Sequence, residues 1–159
     1  MLFRQPTTTE AADIVAISRL AVCYSEAICR GQIDEAVGVY APDGVRASAT
    51  TEDAGGHEAI AAVIRHATKD FEFVFQTTHG GLVDVDGDRA WARFPTTEWA
   101  KRSDGTALQF LGVYEDELAR GPGGWRFTRR FLDGLTLGRV ESFVASRTHP
   151  LRPPARDGG

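Results

Sequence analysis

Ile14, Ile17, Ala21, Tyr24 and Ile28 recur every three or four positions, the spacing that gathers apolar side chains into one stripe along a helix. Val15, Val22 and Cys29 form a shoulder beside that stripe. Thr9 or Asp13 is the expected cap, and Arg30-Gly31 is a stop signal. Ile33, Ala36, Val37 and Tyr40 repeat the pattern in a shorter helix ending near Ala41. Pro42-Asp43-Gly44 reads as a turn, since Pro presets φ and Gly admits positive φ. A short strand is expected over 45–51. Gly55-Gly56 then breaks the chain before a third amphipathic helix carrying Ile60, Val63, Ile64 and Ala67.

From Phe71 the period falls to two: Phe71, Phe73 and Phe75 alternate with Glu72 and Val74. Leu82 to Val85 leads into Asp86-Gly87-Asp88, a hairpin turn. Long strands are expected over 90–101, 107–118 and 125–137, separated by Ser103-Asp104-Gly105 and Gly121-Pro122-Gly123-Gly124. Strands joined by such short turns pair as antiparallel neighbours. Helices first and a sheet after make the fold class α+β. The expected divisions are a flexible lead over 1–10, one domain over 11–140, and a Pro/Arg/Gly-rich, partly disordered tail over 141–159.

Composition narrows the function. The chain has 159 residues, 42% hydrophobic and 25% charged, the size and balance of one globular domain. A net charge of −4 with scattered basic residues argues against a nucleic-acid partner, which needs a basic footprint. No apolar run approaches the roughly 18 residues of a membrane span, and the first ten residues lack the apolar core of a signal peptide. A cytoplasmic protein with no membrane partner is expected. Cys23 and Cys29, six apart on one helix, point about 120° apart and are not expected to pair. They lack the further ligands of a zinc site. His57, His66 and His149 show no ligand spacing. Phosphate-loop, dinucleotide, zinc-protease and nucleophile-elbow motifs are absent, so neither metal nor cofactor is expected.

Three segments carry a resemblance: "YSEAICRGQIDEAVGVYAPDG" at 24–44, "TTHGGLVDVDGDRAWA" at 77–92 and "GVYEDELARGPGGWRF" at 112–127. In that order they resemble the NTF2-like superfamily, and within it the SnoaL-like, scytalone dehydratase-like branch. The resemblance implies a strongly curved antiparallel sheet wrapped against N-terminal helices as a cone, with a deep apolar pocket. Dehydratases, ketosteroid isomerase, polyketide cyclases, an epoxide hydrolase and a dehydrochlorinase share that fold, as do non-catalytic modules, so fold alone does not give the reaction.

The resemblance also implies site residues. His79 matches the strand histidine that the dehydratase-like members use as general acid/base, a role its type can fill near neutral pH. The plainer reading is a histidine hydrogen-bonded within the sheet. Cys29 stands where those members carry an aspartate paired with that histidine. A thiol does not supply that charge unless its pKa is lowered, and a small core residue is its plainer role. The resemblance favours the even positions inward on the next strand, Phe94, Thr96 and Glu98 among them, and on the strand after it Phe110, Gly112, Tyr114 and Asp116 would share that inner face. Glu98 is then an inward acid. Tyr114 is either an oxyanion donor or core. Tyr24 lies on the helix stripe and either reaches the pocket or packs in the core. Asp133 is a further candidate acid. Of Arg129 and Arg130 one turns inward, to pair with an acid or an anionic substrate group. Trp91 and Trp99 fall on the outer face, which suggests a homo-oligomer interface.

The expected function is a cofactor-independent enzyme on a small hydrophobic, polyketide- or terpenoid-like molecule. The reaction would be cyclisation, isomerisation or elimination. His79, Tyr114 and Glu98 are the expected catalytic residues, and Tyr24, Cys29, Phe94, Thr96, Phe110 and Gly112 the substrate-binding ones. The rival is a non-catalytic binding or assembly module, favoured by the missing aspartate.

Overall fold

Thr7 starts the first helix, two residues before Thr9. Its hydroxyl accepts from the Glu10 amide at 3.2 Å, and the Glu10 carboxylate accepts from the Thr7 amide at 2.6 Å, the reciprocal pair of a capping box. Asp13 is not the cap; its carboxylate is spent elsewhere. The computed structural model describes residues 5–141, so all of the expected tail beyond Glu141 lies outside the described residues.

Helix α1 (Thr8–Cys29) buries Ile17, Ala21, Tyr24 and Ile28, the predicted stripe. Gly31, at φ 65°, stops it. Helix α2 (Ile33–Gly38) is short, and Val39 and Tyr40 already belong to the core. The expected Pro42-Asp43-Gly44 turn is absorbed into a strand, β1 (Tyr40–Ser48), which pairs in parallel with the last strand. The chain accommodates it as an irregularity between Tyr40 and Val45, a bulge being where Pro and Gly are tolerated in a sheet. A strand not expected from sequence, β2 (Thr51–Gly55), turns back on β1. Helix α3 (His57–Thr68) follows and buries Ile60, Ala61 and Ile64.

The remaining strands are β3 (Phe71–Thr78), β4 (Leu82–Asp86), β5 (Arg89–Arg102), β6 (Ala107–Gly121) and β7 (Gly124–Arg139). Among the described residues seven strands form one sheet in the order β2-β1-β7-β6-β5-β3, with β4 also paired to β5. All pairs are antiparallel except β1 with β7. The fold is therefore the expected α+β arrangement of N-terminal helices on a large, open, mostly antiparallel sheet.

Two register shifts decide what faces inward. On β3 the pairing slips between Phe71 and Phe73, so the phenylalanines do not share a face: Phe75 is 47% exposed while Gln76 points inward. The second slip lies between β3 and β4. Thr78 faces Thr96 on β5, and Leu82 faces Arg93. Four steps on one side oppose three on the other, so the inward set changes from even on β3 to odd on β4, as one extra residue requires. Val83 and Val85 pack inward, but the parity they define does not extend back to His79.

Candidate active site

The inner face of the sheet is read most simply as rows running across strands. One row is Ala92, Asp116, Arg130, Arg46 and Ala54, from β5 through β6, β7 and β1 to β2. Three inward rows further along are Gln76, Glu98 and Phe110. Between the rows, α1 and α3 close a cavity of roughly 180 Å³. Its walls include Tyr24 and Ile28 of α1, Ile64 of α3, and Phe71 and Phe110 of the sheet. Polar groups reach it from Arg46, Gln76, Glu98 and Tyr114.

Gln76 organises those groups. Its amide nitrogen donates to Glu98 Oε2 at 2.9 Å and to the Tyr114 hydroxyl at 3.4 Å. Its amide oxygen accepts from Ser25 Oγ of α1 at 3.0 Å, and that hydroxyl also bonds Thr78 Oγ1 at 2.6 Å. A carboxylate and a phenol are thereby aimed into one cavity. Burial pushes the Glu98 carboxyl above its ordinary pKa, against the smaller opposing effects of the Gln76 hydrogen bond and the Arg46 charge. Burial, with Tyr24 nearby, also raises Tyr114 well above the usual phenol, so its hydroxyl stays a proton donor at neutral pH.

Beside the cavity sits a fully buried ion pair. Arg130 Nε is 3.2 Å from Asp116 Oδ1, and both side chains have no exposure. The Arg130 guanidinium carbon lies 3.8 Å from the ring centre of Tyr114, 4.4 Å from Phe127 and 4.5 Å from Tyr24, a cation held by ring faces. Tyr40 completes the cluster, 6.2 Å from Tyr24 and 5.8 Å from Phe127. All three tyrosines of the chain thus gather around this cation. Burial lifts the Asp116 carboxyl to about 7, the pull of Arg130 being the smaller effect.

The expected site residues divide. Tyr114, Glu98, Tyr24 and Phe110 all line the cavity. Phe94 and Thr96 face inward but are sealed in the core, at 1% and 2% exposure, and Thr96 donates to the Thr77 carbonyl at 3.1 Å. Gly112 is covered by the Phe110 ring, which a Cβ there would meet at 2.7 Å. That glycine makes room for Phe110 rather than for a ligand. His79 stands apart from Tyr114 and Glu98. It follows the outward positions of β3, is exposed, and its Nε2 bonds Thr97 Oγ1 at 2.8 Å. The cavity residues that sequence reasoning missed are Gln76 and Arg46. The phenylalanine alternation hides Gln76, and the turn expected just before Arg46 hides that residue.

The sequence matches the model of the SnoaL-like domain over residues 9–131. The chain belongs to the SnoaL-like family. No curated protein sequence matches it. Solved structures that resemble this SnoaL-like chain include an NTF2-like protein with a cystatin-like fold from Novosphingobium aromaticivorans. That protein is 26% identical, with TM-score 0.70 over 80% of this chain and 84% of its own. A candidate scytalone dehydratase from the same organism is 20% identical, with TM-score 0.78 over 88% and 95%. A hexachlorocyclohexane dehydrochlorinase from Novosphingobium barchaimii is 13% identical, with TM-score 0.77 over 91% and 97%. At those lower identities the likeness is one of fold.

Membership in the SnoaL-like family sharpens the meaning of Cys29. The Cys29 thiol donates to the Gln76 carbonyl at 3.4 Å and accepts from the Gln76 amide at 3.1 Å. Burial raises its pKa, the Gln76 hydrogen bond opposing. The strand residue beside Cys29 is therefore Gln76 and not His79, and at this juncture the SnoaL-like chain carries a neutral thiol and an amide. Among the described residues no cluster of three or more His, Cys, Asp or Glu is arranged to hold a metal, and no helix is long and apolar enough to cross a membrane.

Proposed function

We propose that this SnoaL-like chain is a cofactor-independent enzyme that moves a proton on a small hydrophobic molecule of polyketide or terpenoid type, driving isomerisation, cyclisation or elimination. The observation that carries the reading is the Gln76 amide, which binds the Glu98 carboxylate and the Tyr114 hydroxyl in the same cavity. Glu98 is the acid/base, its burial bringing the proton's release closer to neutral pH. Tyr114 donates to the substrate oxygen that gains charge. Tyr24 and Phe110 shape the apolar wall. His79, on the outer face, has no part.

Proton exchange at the carbon beside a ketone tests this without knowledge of the natural substrate. The protein should accelerate deuterium exchange into 2-indanone, followed by proton NMR in D2O. Glu98→Gln should remove on the order of 100-fold or more of that acceleration. Equal rates for the two proteins would sink the assignment of Glu98.

The thiol and amide where the resemblance implies a charged dyad favour a second reading, a binding module of the same fold. Saturable 2-indanone binding with no accelerated exchange would select it. The same proposal takes the outer sheet face as a contact between copies of the chain, because Trp91 and Leu111 are 41% and 39% exposed there. Trp91→Glu should then lower the mass measured by light scattering.

A further inference from the structure

Arg46 is the cavity group that the proposed proton transfer does not use. It projects from β1 into the cavity among apolar walls. Arg30, Arg65, Arg93, Arg120, Arg129 and Arg130 each face a carboxylate within ion-pair distance. Among the described residues Arg46 has no such partner, and the hydroxyl of Tyr24 is its side-chain hydrogen-bond neighbour. A partly buried guanidinium without a counter-charge is costly to maintain.

The row geometry explains why no partner comes from within the sheet. Arg130 lies between Asp116 on β6 and Arg46 on β1. Asp116 is committed to Arg130 at 3.2 Å, so two cations share one acid. The next carboxyl in the cavity, Glu98, is held by Gln76 at 2.9 Å. Glu98 feels the Arg46 charge, but among the described residues no ion pair joins the two. Apolar side chains supply the rest of the wall: Ile28, Ile64, Phe71, Phe110 and Leu132.

We propose that the ligand of this cavity is a small, mostly apolar carboxylate whose anionic oxygens pair with the Arg46 guanidinium. A planar guanidinium matches a carboxylate in a two-point fork, and the roughly 180 Å³ of space suits a compact ring bearing that one charged group. The apolar wall takes the ring, while Glu98 stays committed to the Gln76 amide at 2.9 Å. The proposal uses the same cavity as the proposed proton transfer but does not depend on the reaction.

Benzoate and benzamide have nearly the same shape and differ in charge, which makes them the test pair. Calorimetry should show benzoate binding on the order of 10- to 100-fold more tightly than benzamide, as a hydrogen bond to a charged group implies. Arg46→Gln should erase the preference while leaving benzamide affinity in place, and Glu98→Gln should retain it. Equal affinities in the unmodified protein, no binding of either probe, or a preference that survives in folded Arg46→Gln would each overturn the proposal. If Arg46→Gln does not fold, the Arg46 Nε–H resonance of the unmodified protein decides: it should shift with benzoate and not with benzamide, and a resonance that stays put overturns the proposal. Either result leaves the 2-indanone exchange assay independent, so failure of the ligand class and failure of the Glu98 assignment are told apart.

Discussion

Asp13 and Asp116 are both buried aspartates beside an arginine, and their surroundings push them in opposite directions. Asp13, near the start of α1, accepts from Trp125 Nε1 at 3.0 Å and from an Arg120 nitrogen at 2.7 Å. The Trp125 hydrogen bond does most to hold its carboxyl below the ordinary value, with burial opposing and Arg120 helping. Arg120 also lies 4.7 Å over the Trp125 ring. The group ties α1 to the β6–β7 hairpin with its donors and acceptors matched. Asp116, beside the cavity, has a charge partner, but among the described residues no protein group completes a hydrogen bond to either oxygen, and the Arg130 nitrogens likewise lack one. Burial therefore wins there, and the carboxyl rises to about 7. A buried acid that is fully hydrogen-bonded behaves as a fastener, whereas one that is only charge-paired stays close to changing its state.

The largest break in the comparison is Arg130→Ala. It removes the cation from a fully buried pair and empties the space between three rings, and should cost about 3–5 kcal/mol in urea denaturation. The double variant Arg130→Met with Asp116→Asn should recover part of that loss, because no uncompensated charge remains. If the single and double variants were equally unstable, lost packing rather than the stranded acid would be the cause.

Both acids can be separated by pH in a single series. Asp116 has its pKa raised by folding, so the unfolded chain releases that proton first, near the ordinary value of 3.8. Its stabilising contribution is present below that point and is lost as pH rises toward about 7. Asp13 has its pKa lowered by folding. Its contribution is present above the ordinary value and is lost as pH falls through the folded one. Each group can change stability by at most about 1.4 kcal/mol per pH unit. Asp116→Asn should flatten the decline between about pH 4 and 7, and Asp13→Asn should flatten the acid limb. A slope between pH 4 and 7 unchanged by Asp116→Asn would remove the contrast. Away from these limbs, Asp13→Ala should cost about 1–3 kcal/mol, the penalty of leaving the buried Trp125 N–H without an acceptor.

The same contrast shows how far the sequence can be read. The α1 stripe and the three long strands follow from side-chain period alone. The same period sets Tyr114 and Asp116 on one face of their strand and Glu98 with Thr96 on one face of theirs, while the resemblance to the SnoaL-like family is what turns those faces inward. What the period does not contain is a slip. The extra residue between Thr78 and Leu82 inverts the facing of everything before it, and the slip after Phe71 separates that ring from Phe73 and Phe75. Gln76 and His79 exchange places in consequence. Arg46 is obscured by another kind of event, since Pro42-Asp43-Gly44 has the composition of a turn yet lies within a strand held in parallel by β7. Pairing between the two ends of the chain is a tertiary fact that local propensity does not encode.

The smallest expected effect concerns His79. It is exposed, and its Nε2 bonds the Thr97 hydroxyl at 2.8 Å. An exposed hydrogen bond of this kind trades with water at little net cost. His79→Ala should therefore change stability by less than about 0.5 kcal/mol, leave the benzoate preference intact, and leave 2-indanone exchange at the unmodified rate. A loss of exchange in His79→Ala as large as that in Glu98→Gln would return the acid/base role to the strand histidine. It would also require the 79–81 segment to turn inward when a ligand is bound, against the facing that the slip between β3 and β4 imposes.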